Sequence, residues 1–184
     1  MKLPSSKTYG FWLAIIRFYT GAFWLMHGIP KFTQSADFMP PTGMMVQFLN
    51  GQIAHVSGPY QSFLTNVVLP HVWLFAQMVR LGEVITGCLL LLGFYTRLGG
   101  VIGVLLALNY ISAKGGLAHL SVWSGLDSTA LVLSAISVVL PTGRVLGVDA
   151  LLAYFKRKPV AREPAPQAVF VEEPPMTGPT APGA

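Results

Sequence analysis

The sequence has a single cysteine, Cys88. No intramolecular disulfide and no C-x-x-C pair can form, which excludes a self-contained thiol–disulfide oxidoreductase and leaves a cysteine-held metal cluster without ligands. Charge is also scarce. Asp, Glu, Lys and Arg make up 10% of the 184 residues, against about 25% in a soluble domain. The net charge of +5 is not gathered into a basic stripe interleaved with aromatics, so no nucleic-acid partner is expected. Phosphate-binding, dinucleotide, zinc and nucleophile-elbow motifs are missing too. What is abundant is apolar: 53% of the chain is hydrophobic, the composition of a small polytopic membrane protein.

The central stretch is 72–100, VWLFAQMVRLGEVITGCLLLLGFYTRLGG. Residues 72–95 are long enough and apolar enough to cross a bilayer, for which about 20 residues are needed. Three further apolar runs read the same way: 10–29, a run from Thr96 or Arg97 to about Gly115, and 126–140. The first follows a basic start but contains Arg17 and lacks a signal-peptidase site, so it reads as a retained helix. Between the first two spans lies a long connection, 30–70, broken by prolines and glycines, in which 44–50 and 60–69 read as short helices at the bundle mouth. Gly99 and Gly103 are spaced to let a neighbouring helix approach closely. Cys88 is expected to be a small core residue. Residues 145–158 suit a surface helix or a basic flank.

The expectation is an all-α, integral membrane four-helix bundle. It has a long outer loop, a cytoplasmic surface helix and a disordered C-terminal tail. The membrane domain covers 1–158 and the proline-rich tail 159–184. Placing the N-terminus inside assigns Lys2, Lys7, Arg97, Arg144, Lys156, Arg157, Lys158 and Arg162 to the inner side. Only Lys31 and Lys114 fall outside, a clear positive-inside bias. Both termini are then cytoplasmic.

Three charged residues fall within spans: Arg17, Arg80 and Glu83. An ion inside a bilayer is costly, by about 2.5 kcal/mol or more, so each must face protein, a partner or a wet cavity. One reading is an interhelical Arg17–Glu83 bridge. The other is a polar pocket in which Glu83 passes a proton and an arginine holds an anionic or quinonoid oxygen. The histidines His27, His55, His71 and His119 all fall on the outer side. His27 and His71 close the outer ends of the first two spans, and Trp73, Tyr60 and Phe63 could flank a flat ring at the same mouth. No metal or haem site is expected there.

These residues carry a resemblance. RFYTGAFWLMHGIPKF, 17–32, resembles the first helix of the DoxX/DoxD family, with its His-Gly-x-x-Lys exit at His27, Gly28 and Lys31. FAQMVRLGEVITGCLLLLGFYTRLGG, 75–100, resembles the second helix and turn, and GRVLGVDALL, 144–152, the closing segment. The outer-loop sequence YQSFLTNVVLP, 60–70, favours the DoxD branch, the small membrane subunit of thiosulfate:quinone oxidoreductase.

The resemblance implies a non-autonomous subunit in a prokaryotic plasma (inner) membrane. It would pass electrons toward quinone with another membrane or periplasm-facing redox subunit. Glu83, Arg17 and Arg80 would form the polar site, and His27, His71 and Trp73 its quinone-binding mouth. The alternative is a non-catalytic accessory subunit of a larger respiratory or photosynthetic complex. A small-solute transporter is a third reading, for which four helices without repeats are few.

Overall fold

The computed structural model describes residues 6–116 and 125–156, and among these it is all helical. Four long helices dominate: α1 (Ser6–Gly28), α6 (Val72–Leu92), α7 (Thr96–Ala113) and α8 (Leu126–Val139). Each packs on the next, and α8 returns to α1, so they close a ring. The connection after α1 holds four short helices: α2 (Pro30–Thr33), α3 (Ser35–Phe38), α4 (Met44–Ile53) and α5 (Pro59–Phe63). A π-helical turn, Leu64–Val68, runs on from α5. A 3-10 turn, Thr142–Arg144, follows α8, and α9 (Val148–Lys156) ends the described chain. His119 and the tail 159–184 lie outside the described residues.

α6 and α7 are long and apolar enough to cross a membrane; α8 is apolar but shorter. The ring encloses polar groups beside an apolar cluster of Trp24, Leu90, Ala107 and Ala130, and its outside is apolar. Arg17, Thr20, Glu83, Thr86, Ser134 and Ser137 are buried, whereas Met26, Met78, Leu105 and Val132 are exposed. Such a surface is unfavourable in water and favourable against apolar surroundings.

Small residues set the register of α1 on α6. A Cβ at Gly21 would lie 2.6 Å from the Leu91 nitrogen, and one at Gly28 2.9 Å from Glu83 Cβ. The seam therefore runs antiparallel and brings the end of α1 level with Glu83, the middle of α6. The N-terminal half of α6 has no α1 beside it. There α4 and the π turn pack instead, through Leu49, Val56, Leu64 and Val68, with Val72 and Phe75 of α6 against them. The loop thus fills a corner that α1 vacates. Gly21→Ala is expected to cost about 1–3 kcal/mol by overpacking against backbone that cannot yield. Gly51→Ala, in α4 where a Cβ meets nothing within 4 Å, is the control for helix propensity and should gain up to about 1 kcal/mol. Unfolding midpoints in detergent compare the two.

α6 stops at Leu92, earlier than the apolar run suggests. Gly93 takes a left-handed conformation (φ 66), and the Phe94 and Gly93 amides donate back to the Leu89 and Leu90 carbonyls. On α7, Gly100 and Gly103 face α8, while Gly99 faces Leu89 of α6. The expected pairing of Gly99 with Gly103 against one neighbour is therefore corrected to Gly100 with Gly103. Cys88 is exposed rather than buried. It shares the outward stripe of Leu81, Ile85 and Leu92, at intervals of four, three and four residues.

Candidate functional site

The ring holds two polar clusters, one toward each end. The first is centred on Glu83, 1% exposed. Pro30 starts α2 directly after α1 and folds Lys31 back over α6. The Lys31 ammonium donates to Glu83 Oε1 at 2.6 Å, to Oε2 at 2.7 Å and to the Tyr110 hydroxyl at 2.8 Å. Tyr110 in turn donates to Glu83 Oε1 at 2.6 Å. The carboxylate is thus paired and bonded from two further elements, as a buried charge requires. The rings of Phe38 and Tyr110 lie 5.2 and 5.4 Å from Lys31 Nζ, within cation–π range.

This triad borders a cavity of about 250 Å³. Its aromatic walls are Phe23, Trp24 and Phe48, and its polar rim adds His27 and the Lys114–Asp127 ion pair at 2.6 Å. His27 Nδ1 donates to the Phe23 carbonyl at 2.8 Å, which fixes the ring against Phe23. Trp24 is held by its own bond to Ser134 Oγ, 3.1 Å. Nearby, Tyr60 donates to Asn109 Oδ1 at 2.9 Å and ties α5 to α7. Burial raises the Tyr60 pKa from its ordinary range, which keeps that hydroxyl a donor.

The second cluster, at the other end, belongs to Arg17. Its guanidinium is fully buried and donates to the carbonyls of Thr142, Val145 and Leu146, at 3.1, 3.3 and 2.7 Å. Gly93 and Gly147 leave room for it. Beside it Asp149 accepts from the Tyr95 and Thr96 amides, at 2.9 and 3.2 Å, and caps α7 from another helix. The turn after α6 and the closing segment, far apart in sequence, are one structure.

Arg17 and Glu83 therefore form no bridge, which corrects that expectation. Eleven residues separate Arg17 from Gly28, the residue level with Glu83, so it lies about 16 Å away along α1. Arg80 is apart from the triad as well. It donates to Gln77 Oε1 at 2.6 Å and stacks on Phe32, 4.4 Å from the ring centroid. Of the residues assigned to the mouth, His27 lines the cavity. His71 is exposed and bonded to the Val67 carbonyl, and Trp73 is 60% exposed; neither lines the cavity. Sequence reasoning missed Lys31 and Tyr110 as partners of Glu83. Lys31 had a signal, its place in the His-Gly-x-x-Lys exit; Tyr110, in an apolar run, had none. Among the described residues, no three His, Cys, Asp or Glu side chains come together as a metal would need.

Residues 12–163 match the family described as the TQO small subunit DoxD. The chain belongs to the DoxD family. The match runs from the second turn of α1 past the end of α9, so both polar clusters lie within the DoxD region. No curated protein and no solved structure matches this DoxD chain.

Proposed function

We propose that the chain is the membrane subunit of a thiosulfate:quinone-type oxidoreductase and that the Glu83 cavity receives the quinone head. The observation that carries this reading is the buried Lys31–Glu83–Tyr110 triad beside an aromatic-walled cavity. Quinone reduction adds two electrons and two protons. Lys31 and Tyr110 can turn from Glu83 to the quinone oxygens and give one proton each to the product, and the Glu83 carboxylate can relay protons from the aqueous side to restore them. The electrons come from a partner subunit that oxidises thiosulfate. Arg17 serves the fold in this reading and leaves the site; Arg80, held by Gln77 and Phe32, lies outside the cavity as well.

α1, α6, α7 and α8 span a prokaryotic inner membrane, with both termini cytoplasmic and the loop 30–70 outside. The lysine and arginine bias supports that orientation. α8 is about 21 Å long, short of the roughly 30 Å hydrocarbon core, and implies local thinning or flanking residues at its ends.

The test is purification in mild detergent, with mass analysis of bound molecules and co-purifying chains, followed by Tyr110→Phe. A quinone near one per chain and a thiosulfate-oxidising partner are expected. Tyr110→Phe should keep the assembly intact and lower quinone turnover by about 100-fold, the lower end of what a positioned proton donor contributes. One observation favours the accessory reading: Arg17, the most buried charge in α1, is a clamp on backbone. No quinone, a large set of respiratory or photosynthetic subunits, and a silent Tyr110→Phe would decide for it.

A further inference from the structure

Beside the polar cavity lies a second chamber that a quinone head there would not fill. It measures about 270 Å³ and is walled by α4, the π turn, α6 and α7. Its walls are apolar almost throughout, with Leu49 and Leu64 on the side of the loop, Phe75 on α6, and Leu106 and Ala113 on α7. Phe48 and Tyr110 line both cavities and form the partition between them. At the far side the chamber is bordered by Met78 and Leu105, which are 58% and 61% exposed on the outward faces of α6 and α7. One end meets the head cavity; the other opens sideways between the two helices that are apolar enough to cross a membrane.

We infer that this chamber holds the first prenyl units of the quinone's isoprenoid tail, an inference that rests on the quinone reading above. Apart from Asn109 and Tyr110, the walls are apolar and bury hydrocarbon favourably. The shared partition sets the occupant. A tail is covalently joined to the ring, so its first carbons must leave the head cavity past Phe48 and Tyr110. The lateral opening lets the remaining tail run into the bilayer, and gives the quinone a route in. A lipid acyl chain would satisfy the same walls but has no need to reach that partition, because its head stays at the interface.

The experiment measures binding to the full-length chain in detergent by quenching of tryptophan emission. It uses two probes: a tail-less benzoquinone and the same ring with a two-unit prenyl tail. In wild type the tail should tighten binding by about tenfold or more, which burial of about two methylenes already supplies. Leu105→Phe, which adds no new emitter, plugs the lateral opening and should cancel that gain while leaving the tail-less affinity unchanged. Ala113→Phe fills the chamber from the last turn of α7, about two turns from Leu105, and should act alike. All proteins are compared in the same micelles, so partition of the tail cancels. Equal wild-type affinities, as a resident acyl chain would give, would overturn the inference. So would a gain that survives in both variants. Binding of neither quinone would overturn the quinone reading itself, and this inference with it.

Discussion

Lys31→Ala is expected to lower the stability of the folded chain by about 3–5 kcal/mol, the cost of removing one partner of a buried ion pair. Glu83 is 1% exposed, and Lys31 supplies bonds to both of its oxygens. Without the ammonium, Tyr110 alone remains as a donor to one oxygen. Arg80 is engaged with Gln77 and Phe32, Lys114 with Asp127, and Arg17 with backbone at the other end of α1. The double variant Lys31→Met/Glu83→Met should recover most of the loss, because two apolar side chains of similar length need no partner there. Unfolding in detergent titrated with a denaturing detergent measures all three proteins. A Lys31→Ala midpoint within error of wild type would show that the carboxylate is satisfied by something other than Lys31. Loss of quinone binding in the double variant with restored stability would separate the chemistry of the triad from its role in holding α2 to α6.

The long helices were legible because their apolar runs are long and their stops are strong: Gly93 with a left-handed backbone, Pro30 at the start of α2, Pro141 after α8. Faces were harder to read. In α6 nearly every position is apolar, so periodicity could not say that Cys88 shares the outward stripe of Ile85 and Leu92. Glu83 was legible as a site residue because an ion in such a run demands a partner. The partner itself was not. Opposite charge suggested Arg17, but pairing depends on the register of α1 on α6. That register is set by Gly21 and Gly28 meeting Leu91 and Glu83, contacts between residues more than fifty positions apart. The same register leaves the N-terminal half of α6 free for α4, which is why a segment that read as a loop at the mouth became the wall of an apolar chamber.

Arg17→Met is expected to destabilise the chain by about 3 kcal/mol or more, without removing quinone binding. Three carbonyls, those of Thr142, Val145 and Leu146, lose a charged donor, and bonds to charged groups are worth about 1.5–3 kcal/mol each, non-additively. Leu146 takes a left-handed backbone (φ 50), unusual for a branched side chain, and its carbonyl makes the shortest of the three bonds. With the donor gone, little holds that conformation, and the closing segment should release. The effect should pass to α7. Asp149 reaches the Tyr95 and Thr96 amides from the first turn of α9, directly after that segment, and its own amide donates to the Gly93 carbonyl. Limited proteolysis should therefore find new cuts within 142–147, and hydrogen exchange should rise at the start of α7. Arg17→Lys should restore only part of the stability, because an ammonium lacks the planar fork that spreads donors over three carbonyls. The proposed quinone site is about 16 Å away along α1, so affinity measured on the fraction that stays folded should match wild type. A stable Arg17→Met protein that no longer binds quinone would put Arg17 back among the binding residues. Unchanged proteolysis and exchange would remove it from the clamp.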